Sequence, residues 1–165
     1  MAVTQLLVMI TSDRLDECMG NESSLRELIE LSGVSEEEFE DIDWSSTFLK
    51  RLFNELSEDN DTEVLNLALS GESELFKDEL SAYLVEELPT YLTVDKVKDL
   101  SIKLEEIDID GLISKLPSSI SEINDLLKSD FVVDPKVYLK DYFLEIVGIF
   151  KIASKRRLCI VSWWD

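Results

Sequence analysis

The clearest pattern in the chain is an apolar stripe at helical spacing in its middle third. Val94, Val97, Leu100 and Leu104 recur every three or four residues, as in a helix that buries one face. Thr93 stands just before them, where its hydroxyl can accept a hydrogen bond from a free backbone amide of the first turn. The pattern predicts a central helix that begins at Thr93 and ends near Leu104.

Continuous apolar runs near both ends of the sequence predict two buried strands. The first run covers residues 3–11 and the second covers residues 158–164. Neither run shows the alternation of a half-exposed strand, and the second is rich in residues that favour strands. We expect residues 6–10 to pair with the second run in a small sheet, whose strand order the sequence leaves open.

Further helices are predicted between these strands. Several of them follow a residue whose side-chain oxygen can cap a helix, namely Ser12 or Asp13, Ser23 or Ser24, Asp43, and Ser119 or Ser121. Trp44 and Phe48 begin a wide apolar face that we expect to lie in the core. The longest helical pattern covers residues 138–155.

Three stretches have weaker patterns. Residues 58–63 are polar and acidic, which predicts a loop, and residues 64–69 predict a short strand or a helical turn. Residues 74–87 predict an amphipathic segment that Pro89 ends. Taken together, the patterns predict one α+β domain over residues 1–165, rich in helices, with a small sheet that includes the N-terminal and C-terminal strands.

Charge narrows the choice of function. The sequence has 36 Asp and Glu against 16 Lys and Arg, a formal net charge of -20, and no histidine. Such a field repels nucleic acid and anionic membrane surfaces, and it speeds encounter with a basic partner. The lack of histidine removes the commonest general base and a common zinc ligand. We therefore expect a basic protein partner, no nucleic acid, no membrane, and no catalytic, cofactor or metal site.

The two cysteines and the hydropathy pattern indicate where the protein works. Cys18 and Cys159 are far apart, form no C-x-x-C pair and adjoin apolar residues, which predicts buried free thiols. The sequence has no run of about eighteen uncharged apolar residues, and residues 3–10 lack the pattern of a signal peptide. These features predict a cytoplasmic protein.

Two groups of carboxylates are the candidate partner-binding residues. The first group is Glu36, Glu37, Glu38, Glu40 and Asp41. The second group is Glu58, Asp59, Asp61 and Glu63. Either group could match Lys and Arg side chains of a partner, and either could equally be a solvated surface. Ser35 and Glu38 also have the spacing of a capping box, which predicts a short helical turn.

Several stretches, in this order, resemble a known bacterial family. They are Asp41–Trp44 leading into Phe48 and Leu49, Tyr91–Val97 followed by Leu104 and Ile107, and Tyr138–Ala153 followed by an apolar strand. The chain is similar in these to the YfbM-like family of bacterial proteins of unknown function. The resemblance implies a fold and a bacterial origin, and it supplies no catalytic residue. The resemblance also implies a place among bacterial toxin–immunity loci.

The leading hypothesis is therefore an immunity protein that neutralises a basic bacterial toxin by binding it, for example the nuclease of a contact-dependent growth inhibition system. Two alternatives remain open. One is an enzyme that uses paired carboxylates, with or without magnesium. The other is a housekeeping regulatory protein or scaffold that makes an apolar contact through exposed Trp163, Trp164 or Tyr91.

Overall fold

The computed structural model describes residues 4–75 and 88–164. Its strands are β1 (Gln5–Ile10), β2 (Phe39–Asp41), β3 (Ser73–Glu74), β4 (Thr90–Leu92) and β5 (Cys159–Trp164). They form one antiparallel sheet in the order β2-β1-β5-β4-β3. The amphipathic segment predicted over residues 74–87 lies outside the described residues except for its start.

Helices account for most of the remaining described chain. They are α1 (Ser12–Gly20), α2 (Glu22–Ile29), α3 (Ser45–Leu56), α4 (Asp59–Ser70), α5 (Val94–Glu106), α6 (Ile109–Ser114), α7 (Ile120–Leu127) and α8 (Lys136–Arg156). A 3-10 turn covers Glu36–Glu38. The predicted α+β class is confirmed. Within residues 4–75 and 88–164, none of the helices combines the length and apolar character that crossing a bilayer requires.

The predicted pairing of the two terminal strands is confirmed. β1 runs antiparallel to β5, with a register that extends from Gln5 opposite Trp164 to Ile10 opposite Cys159. Each of these strands has a neighbour on both sides, and helices cover both faces of the sheet. Burial on both faces explains why their sequences are continuous apolar runs rather than alternating ones.

The sheet separates two cores of unequal size. On one face, Leu7, Met9 and Ile160 pack against α3, α4, α5 and α8. On the other face, Val8 and Val161 pack against the shorter α1 and α2. Neighbouring residues of a strand point to opposite faces, so adjacent positions of β1 and β5 serve different cores.

Helix α8 organises the larger core. It packs against α5, α3 and α6, and it also contacts β2. Its buried side includes Leu139, Phe143, Ile146 and Phe150. The helix thereby brings one of its exposed flanks beside β2, which is an edge strand of the sheet.

Two helices begin earlier than the sequence predicts. Helix α1 is capped by Thr11, whose hydroxyl accepts a hydrogen bond from the N–H of Arg14 at 3.2 Å. Helix α2 is capped by Asn21, whose Oδ1 accepts from the N–H of Ser23 at 2.8 Å. Both caps lie one to three residues before the predicted positions. Several adjacent residues have side-chain oxygens that could cap the helix, so the sequence alone does not decide which of them does.

The central helix begins where predicted, but its start is stabilised differently. Thr93 occupies the N-cap position of α5, and its side chain makes no capping hydrogen bond. Its own N–H donates to Glu72 Oε1 at 3.1 Å instead. The prediction of the helix is confirmed, and the predicted role of the Thr93 hydroxyl is wrong.

The start of α3 also differs from its prediction. Trp44, expected in the core, is 44% exposed at the N-cap position of α3. Asp43 adopts a left-handed backbone with φ of 50° and makes no capping bond to α3. Its Oδ2 accepts a hydrogen bond from the Tyr138 hydroxyl at 3.2 Å. This contact with α8 removes Asp43 from the capping role that its position in the sequence suggests.

The acidic stretch at residues 58–63 is helical, so the predicted loop is wrong. Glu58 occupies the N-cap position of α4, and Asp59 and Asp61 lie in its first turn. Negative side chains are stabilised there by the positive end of the helix dipole. The first turn of a helix and a surface loop can have the same polar composition, which is why the sequence pattern predicts a loop here.

Candidate partner-binding groove

The first acidic cluster lies at one edge of the sheet. The predicted capping box is present, since the N–H of Ser35 donates to Glu38 Oε2 at 3.1 Å and closes the short turn. The chain then enters β2, where Glu40 lies opposite Leu7 of β1. Because Leu7 belongs to the larger core, Glu40 is directed to the same face of the sheet as α8.

A groove of about 410 Å³ separates this edge from α8. We call it the acidic groove, and its lining is Met9, Glu36, Glu37, Phe39, Glu40, Glu145, Gly148, Ile149, Ile152 and Arg156. Carboxylates therefore line both of its sides, one set from β2 and the turn before it and one from α8. Its apolar lining includes Ile152, which is 47% exposed.

The carboxylates of the acidic groove repel one another. Partial burial raises the pKa of Glu40, and the charges of Glu145 and Asp41 raise it further. Burial, followed by the charge of Asp141, raises the pKa of Glu145. Both shifts mean that the folded protein holds negative charge here at a cost in free energy.

Positive charge reaches the acidic groove at one point of its described lining. Arg156 Nη2 lies 3.7 Å from Glu38 Oε1. Among the described residues, none forms a salt bridge with the four glutamates that line the groove, which are Glu36, Glu37, Glu40 and Glu145. The negative charge of the groove is therefore largely uncompensated by its own surroundings.

Two tyrosines of α8 lie close enough to these carboxylates to be affected by their charge. Burial raises the pKa of Tyr138, and Asp43, whose carboxylate accepts a hydrogen bond from the Tyr138 hydroxyl, raises it further. The pKa of Tyr142 is raised by burial, then by Asp43 and Glu145. Both hydroxyls remain neutral at physiological pH and add no charge of their own. They show that the field of β2 and α8 reaches along one side of the helix.

The second acidic cluster lies elsewhere and has a structural explanation. Glu58 and Asp61 line a cleft of about 180 Å³ between the start of α4 and α6. Asp108 also lines it and caps α6, its Oδ1 accepting from the N–H of Gly111 at 2.9 Å. Asp59 and Glu63 are exposed on α4. The structure thus gathers Glu36, Glu37 and Glu40 in one groove and leaves the second cluster in a separate cleft.

Some residues of the acidic groove are absent from the sequence-based candidates. Glu145 and Gly148 are contributed by α8, which is distant from β2 in the sequence and adjacent to it in space. Glu38 turns towards Arg156, and Asp41 is exposed with its Oδ1 bound to the N–H of Asp43 at 2.9 Å. The candidates therefore identify one side of the groove and miss the other.

The aromatic residues of the scaffold alternative are less available than expected. Trp163 is 2% exposed and packs in the smaller core. Tyr91 and Trp164 are half-buried, and Trp164 contacts the Trp44 ring with centroids 5.9 Å apart. An apolar contact through Trp163 would require the smaller core to open, and this burial weakens the scaffold alternative.

The predicted thiol states are confirmed. Cys18 and Cys159 are free and buried, and burial raises the pKa of each thiol. In the part of the chain that the structure describes, no group of three or more acidic or cysteine side chains is arranged to hold a metal ion. The magnesium-dependent enzyme stays a hypothesis without assigned residues.

Comparison with known proteins is informative about the class and silent about activity. The chain forms an α+β domain in which both terminal strands occupy the middle of a sheet covered by helices. A family model described as "Domain of unknown function (DUF1877)" matches residues 1–163, and the chain belongs to this family. No curated protein matches it.

A solved structure shares the fold. The crystal structure of a protein of unknown function, YfbM from Escherichia coli, matches with a TM-score of 0.63 and 17% sequence identity. The match covers 98% of this chain and 99% of that chain. The resemblance to the YfbM-like family is therefore confirmed.

Proposed function

We propose that this protein binds a basic protein through the acidic groove, and that it serves as an immunity protein which neutralises a basic bacterial toxin. One observation carries the proposal. Four glutamates from the 3-10 turn, β2 and α8 line an open groove, and the described residues supply them with no salt bridge. Lysine and arginine side chains of a partner are the groups that would relieve their repulsion.

The charge of the whole chain supports a fast encounter with such a partner. A net charge of -20 attracts a basic surface over a distance set by ionic strength. The same basic surface on a nuclease would be the one that contacts phosphates of nucleic acid. Covering it would block substrate access without any chemistry by the inhibitor.

The lining of the acidic groove suits the shape of basic side chains. Lysine and arginine combine an apolar stem with a charged end group. Ile152 provides exposed apolar surface for the stem, and Glu40 and Glu145 provide charge for the end group. Burying the stem adds a short-range contribution that high salt does not screen.

The start of α4 is the weaker candidate surface. Asp59 and Asp61 lie in its first turn, where negative charge stabilises the positive end of the helix, so the fold itself accounts for these two carboxylates. Glu58, Asp59, Asp61 and Glu63 stay predicted contacts of lower rank. Two free buried thiols agree with a proposed cytoplasmic location, where thiols remain reduced.

The partner for the test is a large protein with a basic C-terminal domain, to be sought in the gene directly upstream of this one. Its C-terminal domain is expressed in a bacterial host with and without this chain, and growth is followed. The purified proteins are then mixed at low and high salt to measure association rates. We expect restored growth and an association rate that falls about tenfold or more at high salt, because screening removes electrostatic steering.

A matched pair of variants assigns the binding to the groove. Glu40→Gln with Glu145→Gln removes two charges inside it, and Glu17→Gln with Asp125→Asn removes two exposed charges on α1 and α7. We expect the first pair to weaken binding about thirtyfold or more, since breaking buried charge pairs costs about 2 kcal/mol or more. Equal effects of both pairs, or no growth protection by the wild type, would contradict the proposal.

A further inference from the structure

We infer that the partner enters the acidic groove as an extended basic segment that pairs with β2 and becomes an additional strand of the sheet. This inference rests on the proposed function and names the form of the partner. Strand β2 is an edge strand that has β1 as its neighbour in the described sheet. An edge strand presents backbone donors and acceptors that another extended chain can use.

The hydrogen-bond pattern shows which backbone groups are free. The N–H of Ile42 donates to the Gln5 carbonyl at 2.9 Å, and the Gln5 N–H donates to the Asp43 carbonyl at 3.3 Å, so the N–H of Ile42 faces β1 just beyond the end of β2. Hydrogen-bonded positions alternate along an antiparallel pair. Glu40 therefore directs its backbone to β1, and Phe39 and Asp41 direct their N–H and C=O groups away from it. No described residue forms a backbone hydrogen bond with these outward groups.

Side-chain alternation connects this edge to the groove. Glu40 lies on the α8 face of the sheet, and Phe39 lies on the opposite face. A strand added beside β2 would direct every second side chain over the groove, between Glu40 and Glu145. Lysine or arginine at those alternating positions would meet carboxylates on both sides.

The wall formed by α8 leaves room for such side chains. A Cβ atom built on Gly148 has no neighbouring atom within 4 Å. The backbone of α8 is therefore open to the groove at the point where the added side chains would pass. A helical partner would leave the outward groups of Phe39 and Asp41 unpaired, because a helix uses its own backbone groups internally.

The carboxylates also restrict which strand can be added. An acidic or neutral strand would gain no charge compensation beside Glu40, Asp41 and Glu145, and a second copy of β2 would bring like charges together. The same residues that discourage self-association favour a basic strand. Charge complementarity thus selects the partner, and backbone pairing sets its conformation.

The test uses the full chain and a peptide of alternating lysine and valine, Lys-Val-Lys-Val-Lys-Val-Lys-amide, whose N-terminal amine carries fluorescein through an amide bond. Binding is measured by fluorescence anisotropy. Two further peptides keep the sequence and charge but carry N-methyl groups on all valines or on all internal lysines. If the peptide adds antiparallel to β2 with its lysine side chains over the groove, the backbone N–H groups of the valines point to β2 and donate hydrogen bonds to it. We expect valine methylation to weaken binding about tenfold and lysine methylation to have little effect.

The outcomes separate this inference from the proposed function. The opposite asymmetry would still support strand addition, in the parallel direction. Equal binding of all three peptides would overturn strand addition while leaving recognition of basic charge intact. Absence of peptide binding, with the upstream toxin still bound, would overturn the inference alone. Failure of growth protection is the separate result that removes the proposed function.

Amide hydrogen exchange provides a second readout on the protein itself. The N–H groups of Phe39 and Asp41 should exchange more slowly when the unmethylated peptide is bound, as followed by nuclear magnetic resonance. The N–H of Glu40 should change little, because it already faces β1. Uniform slowing at all three positions, or no slowing at any, would count against pairing along this edge.

Discussion

The start of α4 and the acidic groove are both rich in carboxylates, and the fold uses the negative charge differently in the two places. At α4, Asp59 and Asp61 occupy the first helical turn, where the helix dipole stabilises them. In the groove, Glu40 and Glu145 are brought together by β2 and α8, and each has a raised pKa. One arrangement stabilises the folded chain, and the other opposes it.

This difference teaches how to separate structural acidity from functional acidity. Negative charge that completes a helix needs no partner to explain it. Negative charge that is held together against repulsion persists because the rest of the structure is stable enough to hold it, as is common at functional sites. The distinction fails if changes at the start of α4 and changes in the acidic groove have the same effect on toxin binding or on stability.

Beyond the charge variants of the binding test, the largest expected effect comes from filling the groove without changing its charge. Gly148→Leu places a side chain where Gly148 leaves open space, so the protein's fold should tolerate it. Replacing a glycine within a helix favours the helix by up to about 1 kcal/mol. We expect binding of the upstream toxin domain to weaken tenfold or more, with no decrease in Tm, as measured by biolayer interferometry and calorimetry.

A matched variant places the same side chain near the second cluster. Asn54→Leu lies on the exposed side of α3, two residues before the end of that helix. It should leave toxin binding unchanged within about twofold, because it does not line the groove. A loss of binding as large as that caused by Gly148→Leu would show that an added leucine interferes wherever it is placed. The result would then give no evidence that the toxin binds in the groove.

The second effect concerns the stability of α4. Asp59→Asn together with Asp61→Asn removes the acidic residues of its first turn. We expect a loss of about 1 kcal/mol in the free energy of unfolding, because each charge contributes about 0.3–1 kcal/mol at a helix N-terminus. Thermal unfolding should show Tm lower by about 2–4 °C. An unchanged Tm would mean that the dipole does not account for this cluster.

Some features of the fold and of the two acidic regions can be predicted from the sequence, and others cannot. The terminal strands are predictable because burial on both faces requires continuous apolar runs, and β1 and β5 have them. The sequence predicts a loop at the start of α4 because helix caps and loops favour the same polar residues. The capping box at Ser35 is predictable because its two partners are three residues apart.

The groove is only half visible in the sequence. Glu36, Glu37 and Glu40 are adjacent in the chain, so a cluster is evident there. Glu145 and Gly148 join them through the packing of α8 against β2, which no local pattern records. Long-range packing also decides the role of Asp43, which contacts Tyr138 of α8 rather than capping α3.

The third effect has the opposite sign to the second. Glu40→Gln with Glu145→Gln should raise the free energy of unfolding at neutral pH by roughly a few tenths of a kcal/mol, because repulsion is relieved and water screens the part of each side chain that is exposed. Urea unfolding of this variant and of the Glu17→Gln, Asp125→Asn control measures it. A decrease in stability specific to the groove variant would show that its carboxylates stabilise the fold, as those of α4 are expected to do.

The smallest effect is the pH dependence of that gain. The pKa values of Glu40 and Glu145 are raised above the ordinary value of 4.5, so the folded protein binds more protons than the unfolded chain as pH rises from that value to the raised pKa. The free energy of unfolding of the wild type should therefore fall through this window relative to the Gln variant, and the difference should become constant above it. Urea unfolding at pH values from about 4 to about 7 measures the difference. Toxin affinity should rise through the same pH window, because ionised glutamates attract basic side chains. If affinity instead decreases as pH rises, as stability does, the two effects cannot both be assigned to these carboxylates.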